Sequence, residues 1–439
     1  MTMNREILRI AIPNMVSNIT VPLMGIVSTA IAGHWGADSA ATIGALAIGV
    51  SIFNFIYWNC GFVRMGTSGL TAQAFGAGNF KECTNMLVRA IMVSIGLGLL
   101  MVVVQYPLGE LALWAMNGNA MTSEYYYARI WAVPAGIILF GFNGWFTGMQ
   151  DAIIPMFISI TVNVIHIIFS LWFAFGCNMG IVGIAYGSVI AQYAGLSLAV
   201  LLLLVRYRKI LTAVSWAEVF DLKPMKAFFV INRDIILRTF CIVIVYTFFT
   251  GASARMDDPS LLAVNTLLLQ LFTLFSYMND GFAYAAEALT GRFIGARDEV
   301  SLRDCLKRCL IWGTLVSILF VGIYIIWWRD LISVFTTAAN SATITTLAEK
   351  YIIWIILIPI ASAIPFIMDG IMVGATHTRI MRISMFWATG VFFGVYYAFY
   401  QFIGNDALWL AFTLYMFLRG VIQLAMTDRL KVIYKKATV

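Results

Sequence analysis

Carboxylates stand inside apolar stretches of this chain, where charge is least expected. Asp280, Tyr284 and Glu287 are spaced i, i+4 and i+7, which puts them on one face of a helix. Asp369 lies within IPFIMDGIMVGAT, and Thr376 follows it by seven residues on the same helical face. A charged side chain at a bilayer centre costs roughly 2.5–3.5 kcal/mol on insertion scales, so such groups ordinarily face a cavity or one another. A carboxylate there can take up a proton or ligate a cation in one state and release it in another, which is the chemistry of ion coupling. Asp234 and Arg238 form an acid-then-base pair at i, i+4, a spacing that favours a local ion pair. The first half of the chain offers polar groups instead: Arg64, Ser68 and Thr71 in one stretch, Asn163, His166 and Ser170 in another. The alternative to function is internal hydrogen bonding between helices, and it suits Asp234–Arg238 best. For Glu287 and Asp369 a functional reading is preferred, while packing and titrating readings of His166 stand level. His34 and His377 read as solvated.

The elements that must hold these groups are membrane spans. Of 439 residues, 61% are hydrophobic and 11% charged, against roughly 25% charged in a soluble domain. Apolar runs of about 20 residues recur, each enough to cross the hydrocarbon core. They lack the alternation of barrel strands, so the fold class expected is all-α and polytopic. The first run, from Ile7 to Gly33, is too long for a removed signal peptide and has no cleavage site. Twelve spans are predicted, at 10–33, 43–72, 85–106, 125–148, 155–176, 182–205, 231–252, 261–290, 309–334, 350–374, 382–403 and 406–428.

The spans fall into two copies of one unit. Gly61–Asn79 and Asp280–Asp298 align at an offset of 219, matching Leu70-Thr71 to Leu289-Thr290 and Gly76-Ala77 to Gly295-Ala296. Asn143-Gly144 and Gly148 match Asp369-Gly370 and Gly374 at an offset of 226. Two echoes at nearly one offset predict a six-helix lobe over 1–205, a linker over 206–230 and a second lobe over 231–439. The second copy carries acids where the first carries Arg, Ser and Asn. Within the linker, Trp216 to Phe220 predicts a short interfacial helix.

Charge gives the orientation. With the N-terminus in the cytoplasm, twenty of the 28 Lys and Arg residues fall inside and three outside. The three are Arg255, Arg329 and Lys350; five more (Arg64, Arg89, Arg129, Arg238, Arg419) lie within or near spans. That is a positive-inside pattern with both termini cytoplasmic, and it explains the net charge of +7 without nucleic acid. Cys305 and Cys309 are one helical turn apart but have no neighbouring Cys or His, so no metal site is expected. No metalloprotease, nucleotide-binding or hydrolase motif is present, and no soluble segment is long enough for a nucleotide-binding domain, so an enzyme is not expected.

The chain resembles multidrug and toxin extrusion (MATE) transporters of the DinF-like branch. The stretches that carry the likeness are IPNMVSNITVPLMGIVSTAIAGHWG, GLTAQAFGAGN, NRDIILRT, DGFAYAAEALTG and MDGIMVGATHTRIMR, which together span the chain. The resemblance implies twelve helices in two six-helix lobes around a central cleft. It also implies export of amphipathic, often cationic compounds coupled to protons or sodium by alternating access. The family's early helix-bending proline is present as Pro13. Two expected N-lobe acids are absent: Ser28 and Ser170 stand at their positions, and His166 replaces an Asn four residues before the second. Asp369 is similar to the acid used for cation binding in the sodium-coupled branch; that branch's acid in span seven has no counterpart in ILRTFCIVIV.

These readings set the expectations. The chain is a monomeric secondary antiporter of the plasma (inner) membrane, without cofactor or nucleic-acid partner, exporting amphipathic cations. Asp369 and Glu287 couple the ion, Asp280 supports them and His166 is held in reserve. Arg64, Ser28, Asn163, Ser170, Tyr284 and Arg238 are the further polar groups of the cleft. The alternatives are a lipid-linked saccharide flippase, which favours a more basic cavity, and a receptor or scaffold that no longer transports.

Overall fold

The computed structural model describes residues 2–35, 39–211, 214, 216–256, 258–334, 341–428, 431 and 433. Arg429, Lys435 and Lys436, which entered the charge count, lie outside the described residues. Among the described residues, twelve helical stretches are long and apolar enough to cross a membrane. Their order matches the twelve predicted spans. The helices are α1 (Met3–Gly33), α2 (Ser39–Cys60), α3 (Phe62–Gly76), α4 (Phe80–Val103), α5 (Gln105–Ala115), α6 (Ala120–Arg129), α7 (Val133–Gly148) and α8 (Ile153–Leu171). There follow α9 (Gly180–Tyr207), α10 (Trp216–Val219), α11 (Leu222–Ala254), α12 (Pro259–Gly295), α13 (Glu299–Ser333), α14 (Ser341–Gly374), α15 (Thr378–Ile403) and α16 (Asn405–Met426).

At most boundaries that differ the helix outruns its apolar stretch, whereas α4, α8, α13 and α16 end short of the predicted limit. Helix α13 begins at Glu299 rather than near 309, because backbone hydrogen bonding continues through a charged turn that hydropathy cannot see. Two spans are built from two helices each. Gly61 separates α2 from α3, and a 3₁₀ turn at Ile130–Ala132 separates α6 from α7, where Pro134 brings no N–H. Pro13 and a second proline, Pro22, lie inside α1.

The chain divides into two compact units: Ile12–Asn232, and Arg233–Val439 together with Met1–Ala11. Helix α10 and the described linker residues therefore belong to the first unit, and the start of α1 to the second. Glu6 accordingly pairs with Arg292 at 2.9 Å within the second unit.

Within each unit the same glycine pair brings two helices together. In the first unit, a Cβ added to Gly144 would fall 2.3 Å from the Arg64 carbonyl oxygen, and one on Gly148 would fall 2.8 Å from that of Ser68. In the second unit, a Cβ on Gly370 would fall 2.1 Å from the Ala283 carbonyl oxygen, and one on Gly374 would fall 2.2 Å from that of Glu287. Arg64 and Ser68 map onto Ala283 and Glu287 at the offset of 219, and the glycines map at 226. The echo read in the sequence is thus one packing motif, glycines four apart letting two backbones touch. Lipid gives no hydrophobic force between helices, so such close contact is what holds them.

Polar pins complete each unit. In the second, Asn265 and Asn405 exchange amide hydrogen bonds at 2.8 and 3.0 Å, and the Trp409 indole donates to Asn265 at 2.8 Å. In the first, the wholly buried Arg89 side chain of α4 donates to the Val219 carbonyl at 2.9 Å and the Glu218 carbonyl at 2.6 Å. This fastens the predicted linker helix α10 to α4. The hydrogen bond from Lys81 holds the exposed Glu218 carboxyl below the usual carboxylate range.

Two expectations are corrected. Asp234 and Arg238 do not pair with one another. Asp234 is taken by Arg382 at 2.6 Å and Arg233 at 3.1 Å, and Arg238 turns to Asp369. Tertiary partners outcompete the local spacing because they satisfy buried charge. Thr376 does not share a helical face with Asp369, because α14 ends at Gly374 and Thr376 takes φ 57° in the turn beyond it.

Candidate charge sites of the two units

Helix α14 carries Asp369 beside the Gly370 contact, so the backbone is pinned on α12 while the carboxylate turns to other neighbours. Asp369 is buried, 4% exposed. It forms ion pairs with Arg238 of α11 and Arg419 of α16. Gln423, one turn beyond Arg419, donates its amide to the second Asp369 oxygen at 2.7 Å and to the Ser384 hydroxyl of α15 at 3.2 Å. The Arg419 guanidinium also lies over Tyr415 at 5.8 Å and Phe366 at 5.9 Å. One carboxylate therefore serves two guanidinium groups, and a single centre ties four helices. Taking charge out of water is costly, so removing Asp369 would leave two cations without their counter-charge.

Glu287, expected as the partner of Asp369, is buried on α12 with its own carbonyl against Gly374. The hydrogen bonds of Asp369 run to α11 and α16 rather than to Glu287. Asp280 and Tyr284 are half-buried on the same helix. Arg419, Gln423 and Ser384 complete the Asp369 centre, and sequence reasoning did not assign them to it. The intramembrane Arg419 was the available signal.

In the first unit, three of the expected residues meet. His166 of α8 is buried and hydrogen-bonds through Nε2 to Ser28 of α1 at 3.0 Å. Its Nδ1 faces Ser188 of α9 at 3.2 Å and Ser170 at 3.3 Å. The Ser188 hydroxyl donates to the Ile184 carbonyl at 3.2 Å, so it accepts from Nδ1–H, and Nε2 accepts from Ser28. Both positions where the resemblance places acids thus carry hydroxyls that satisfy one imidazole. Ser188 was not foreseen, lying 22 residues from His166. Asn163 is half-buried one turn before His166 and does not join the cluster, and Arg64 lies on α3 at the Gly144 contact.

A cavity of about 10 Å³ adjoins this cluster, lined by His166 and Ser188 together with Tyr57, Gln192 and Arg129. Arg129 closes α6, where it donates to the Tyr125 hydroxyl at 2.5 Å and lies over Phe53 at 4.8 Å. Among the described residues no group of three metal-binding side chains occurs, and the Cys305 and Cys309 sulfurs stand 3.9 Å apart, both buried.

The sequence model of the MatE family matches the chain twice, over residues 13–172 and 235–398, one match in each half. DNA damage-inducible protein F of Escherichia coli (strain K12) is 32% identical over 427 residues, 95% of this chain and 90% of that protein. Multidrug and toxin extrusion protein 1 of Danio rerio is 26% identical over 452 residues, 99% of this chain and 73% of that protein. Among solved structures, one described as MATE in the bent conformation aligns with a TM-score of 0.87 at 17% identity, over 100% of this chain and 98% of the other. A MOP superfamily transporter from Pyrococcus furiosus, described as having reverse polarity of its binding pocket, aligns with a TM-score of 0.85 at 16% identity, over 99% and 97%. These two show likeness of fold.

Proposed function

Since the chain belongs to the MatE family, whose members are transporters and not enzymes, we propose that it is a secondary antiporter moving amphipathic small molecules outward by alternating access. The observation that carries this reading is the buried Asp369 held between Arg238 and Arg419. A carboxylate that satisfies two cations is a switch: binding a proton cancels the charge that holds both. Arg238 then has Asp234 four residues away as another acid, held in this structure by Arg382 and Arg233, so a second arrangement of the same charges requires an exchange of partners. Such a bistable element is what an ion gradient must bias. Two guanidinium groups beside the carboxylate disfavour sodium and proton alike, so the coupling ion binds where they have moved away. Glu287 is the second coupling carboxylate, with Asp280 in support and His166 in reserve.

Substrates in this reading carry a positive charge, drawn by Asp280 and Glu287, and bury apolar surface against aromatic and Met side chains. The protein works as a monomer in the plasma membrane with both termini cytoplasmic, following the positive-inside pattern. Labelling a cysteine placed at Lys223 from outside the cell would contradict that orientation. Buried Arg129 and Arg419 and half-buried Arg238 favour a second reading, a flippase for an anionic lipid-linked saccharide. The test is movement of a cationic dye in liposomes of purified protein under a pH or a sodium gradient. The wild type should drive the dye, and Asp369→Asn and Glu287→Gln should abolish coupling. Coupled transport surviving in both while His166→Ala abolishes it would move the site to the first unit. Absence of dye movement, with tight binding of a phosphorylated lipid, would favour the flippase.

A further inference from the structure

In the second unit, α14 packs against both α13 and α16, and a glycine seats each of them on it. A Cβ added to Gly313 of α13 would fall 2.5 Å from the Ile367 side chain. One on Gly420 of α16 would fall 2.8 Å from Pro365 and 3.1 Å from Ile364. Beside these two seams a groove of about 320 Å³ opens. Ile364 of α14 lines it, with Leu310, Ile311, Thr314 and Leu315 of α13 and Leu424 of α16.

The groove offers almost nothing polar. Thr314 donates its hydroxyl to the Leu310 carbonyl at 2.8 Å, which leaves the methyl group for the groove. Ile311, Thr314 and Leu315 are exposed, and Leu310, Ile364 and Leu424 are half-buried, so the groove opens outward. The α13 residues stand at the start of the apolar stretch predicted over 309–334. At that depth the surroundings are hydrocarbon, and water is not there to fill an apolar slot. The volume lies at the lower end of the roughly 300–1,000 Å³ of small-molecule sites.

Charge marks the entrance. Lys307 precedes Leu310, Ile311 and Thr314 by three, four and seven residues, so it shares their face of α13. It lies just outside the apolar stretch and is exposed. Among the described residues no carboxylate pairs with it, whereas Arg303 pairs with Glu299, and Arg308 with Asp304 at 2.7 Å. A lysine at the end of a span keeps its ammonium at head-group level while its stem lies along apolar surface. One helix face thus presents a cation at the interface and a slot in the hydrocarbon beneath it.

We propose that this groove holds one acyl chain of a phospholipid whose anionic head group is bound by Lys307. The chain alone would suit zwitterionic and anionic lipids equally; the lysine selects the anionic ones. The site shares its helices with the Asp369 centre: Ile364 precedes Asp369 by five residues on α14, and Leu424 follows Gln423 on α16. A chain in the groove therefore supports the frame on which that centre stands. The site does not rest on the transport reading, since binding needs neither gradient nor substrate.

The experiment uses full-length purified protein in detergent with dioleoyl phosphatidylglycerol or dioleoyl phosphatidylcholine added. Native mass spectrometry counts the bound lipids, and circular dichroism follows thermal unfolding. The wild type should hold one phosphatidylglycerol at least tenfold more tightly than phosphatidylcholine and melt at a higher temperature with it. Lys307→Gln should erase the preference and leave phosphatidylcholine binding unchanged. Thr314→Trp fills the groove and should weaken both lipids at least tenfold; Ile311→Trp does so from a second position, should the first fold poorly. Leu319→Trp, on an exposed part of α13 outside the groove, should bind as the wild type does. Inorganic phosphate should not compete. No preference for phosphatidylglycerol in the wild type, undiminished binding by both folded groove-filling variants, an equal loss in Leu319→Trp, or displacement by phosphate would each overturn the proposal. Phosphatidylglycerol binding that Thr314→Trp removes supports this groove and is separate from the flippase reading.

Discussion

Gly374 lies so close to the backbone of Glu287 that a Cβ added to it would fall 2.2 Å from the carbonyl oxygen. The equivalent contact in the first unit joins Gly148 to Ser68. One scaffold thus presents Ser68 in one unit and Glu287 in the other, Asn143 in one and Asp369 in the other. The difference in chemistry between the halves is a difference in side chains on a shared framework.

That contact predicts a steric cost. Gly374→Ala must push α14 away from α12, because the obstacle is backbone rather than a movable side-chain tip. Overpacking of this kind destabilises by about 1–3 kcal/mol. Gly25→Ala, with nothing within 4 Å of its added Cβ, is the control. Thermal unfolding in detergent should show a clear loss for Gly374→Ala and little for Gly25→Ala. Equal melting of both variants and the wild type would refute the contact.

The Asp369 centre predicts non-additivity. Asp369→Asn leaves buried Arg419 and half-buried Arg238 without their counter-charge, and breaking a buried pair costs about 3–5 kcal/mol. Adding Arg419→Gln removes one of the stranded cations and should recover part of the loss. A double-mutant cycle on unfolding midpoints measures the coupling. Additive losses would mean that the three groups do not act as one centre.

Much of this architecture was legible in the sequence. Apolar runs of bilayer length showed the twelve spans, and the paired echoes at 219 and 226 showed the repeat, because helix packing needs glycine at fixed spacing whatever surrounds it. Pairing inside the spans was not legible. Asp234 has a base four residues on, yet Arg382, 148 residues away, takes it. Local spacing states what can pair; tertiary neighbours decide what does. The His166 cluster was half legible: Ser170 lies on its own helix, but Ser28 and Ser188 arrive from α1 and α9.

Within that cluster the hydroxyls should differ in weight. Ser28 is the partner of Nε2, so Ser28→Ala leaves a buried acceptor unsatisfied, a loss of about 1–3 kcal/mol. Ser170 and Ser188 share Nδ1, so Ser170→Ala should cost less, because Ser188 remains. Denaturation midpoints of the two variants give the ranking. A larger loss for Ser170→Ala would reverse the assignment of the imidazole hydrogens.

The linker clasp predicts a protease phenotype with a defined pH dependence. Arg89 holds α10 through two backbone carbonyls, and Lys81 and Asn85 hold it through the Glu218 carboxylate. The Glu218 pKa is depressed, first by the Lys81 hydrogen bond, so its contribution is present above the ordinary carboxylate range and fades as pH falls through the lower folded value. That contribution is small, because the pair is exposed to solvent. The Arg89 bonds to carbonyls do not titrate, and hydrogen bonds from a charged group are worth about 1.5–3 kcal/mol each. Limited proteolysis of the linker should therefore be slow in the wild type at neutral pH and rise only slightly on acidification or in Glu218→Gln. It should rise many-fold in Arg89→Ala at every pH. Cleavage of Glu218→Gln as fast as Arg89→Ala would show that the carboxylate, and not the buried arginine, fastens the linker.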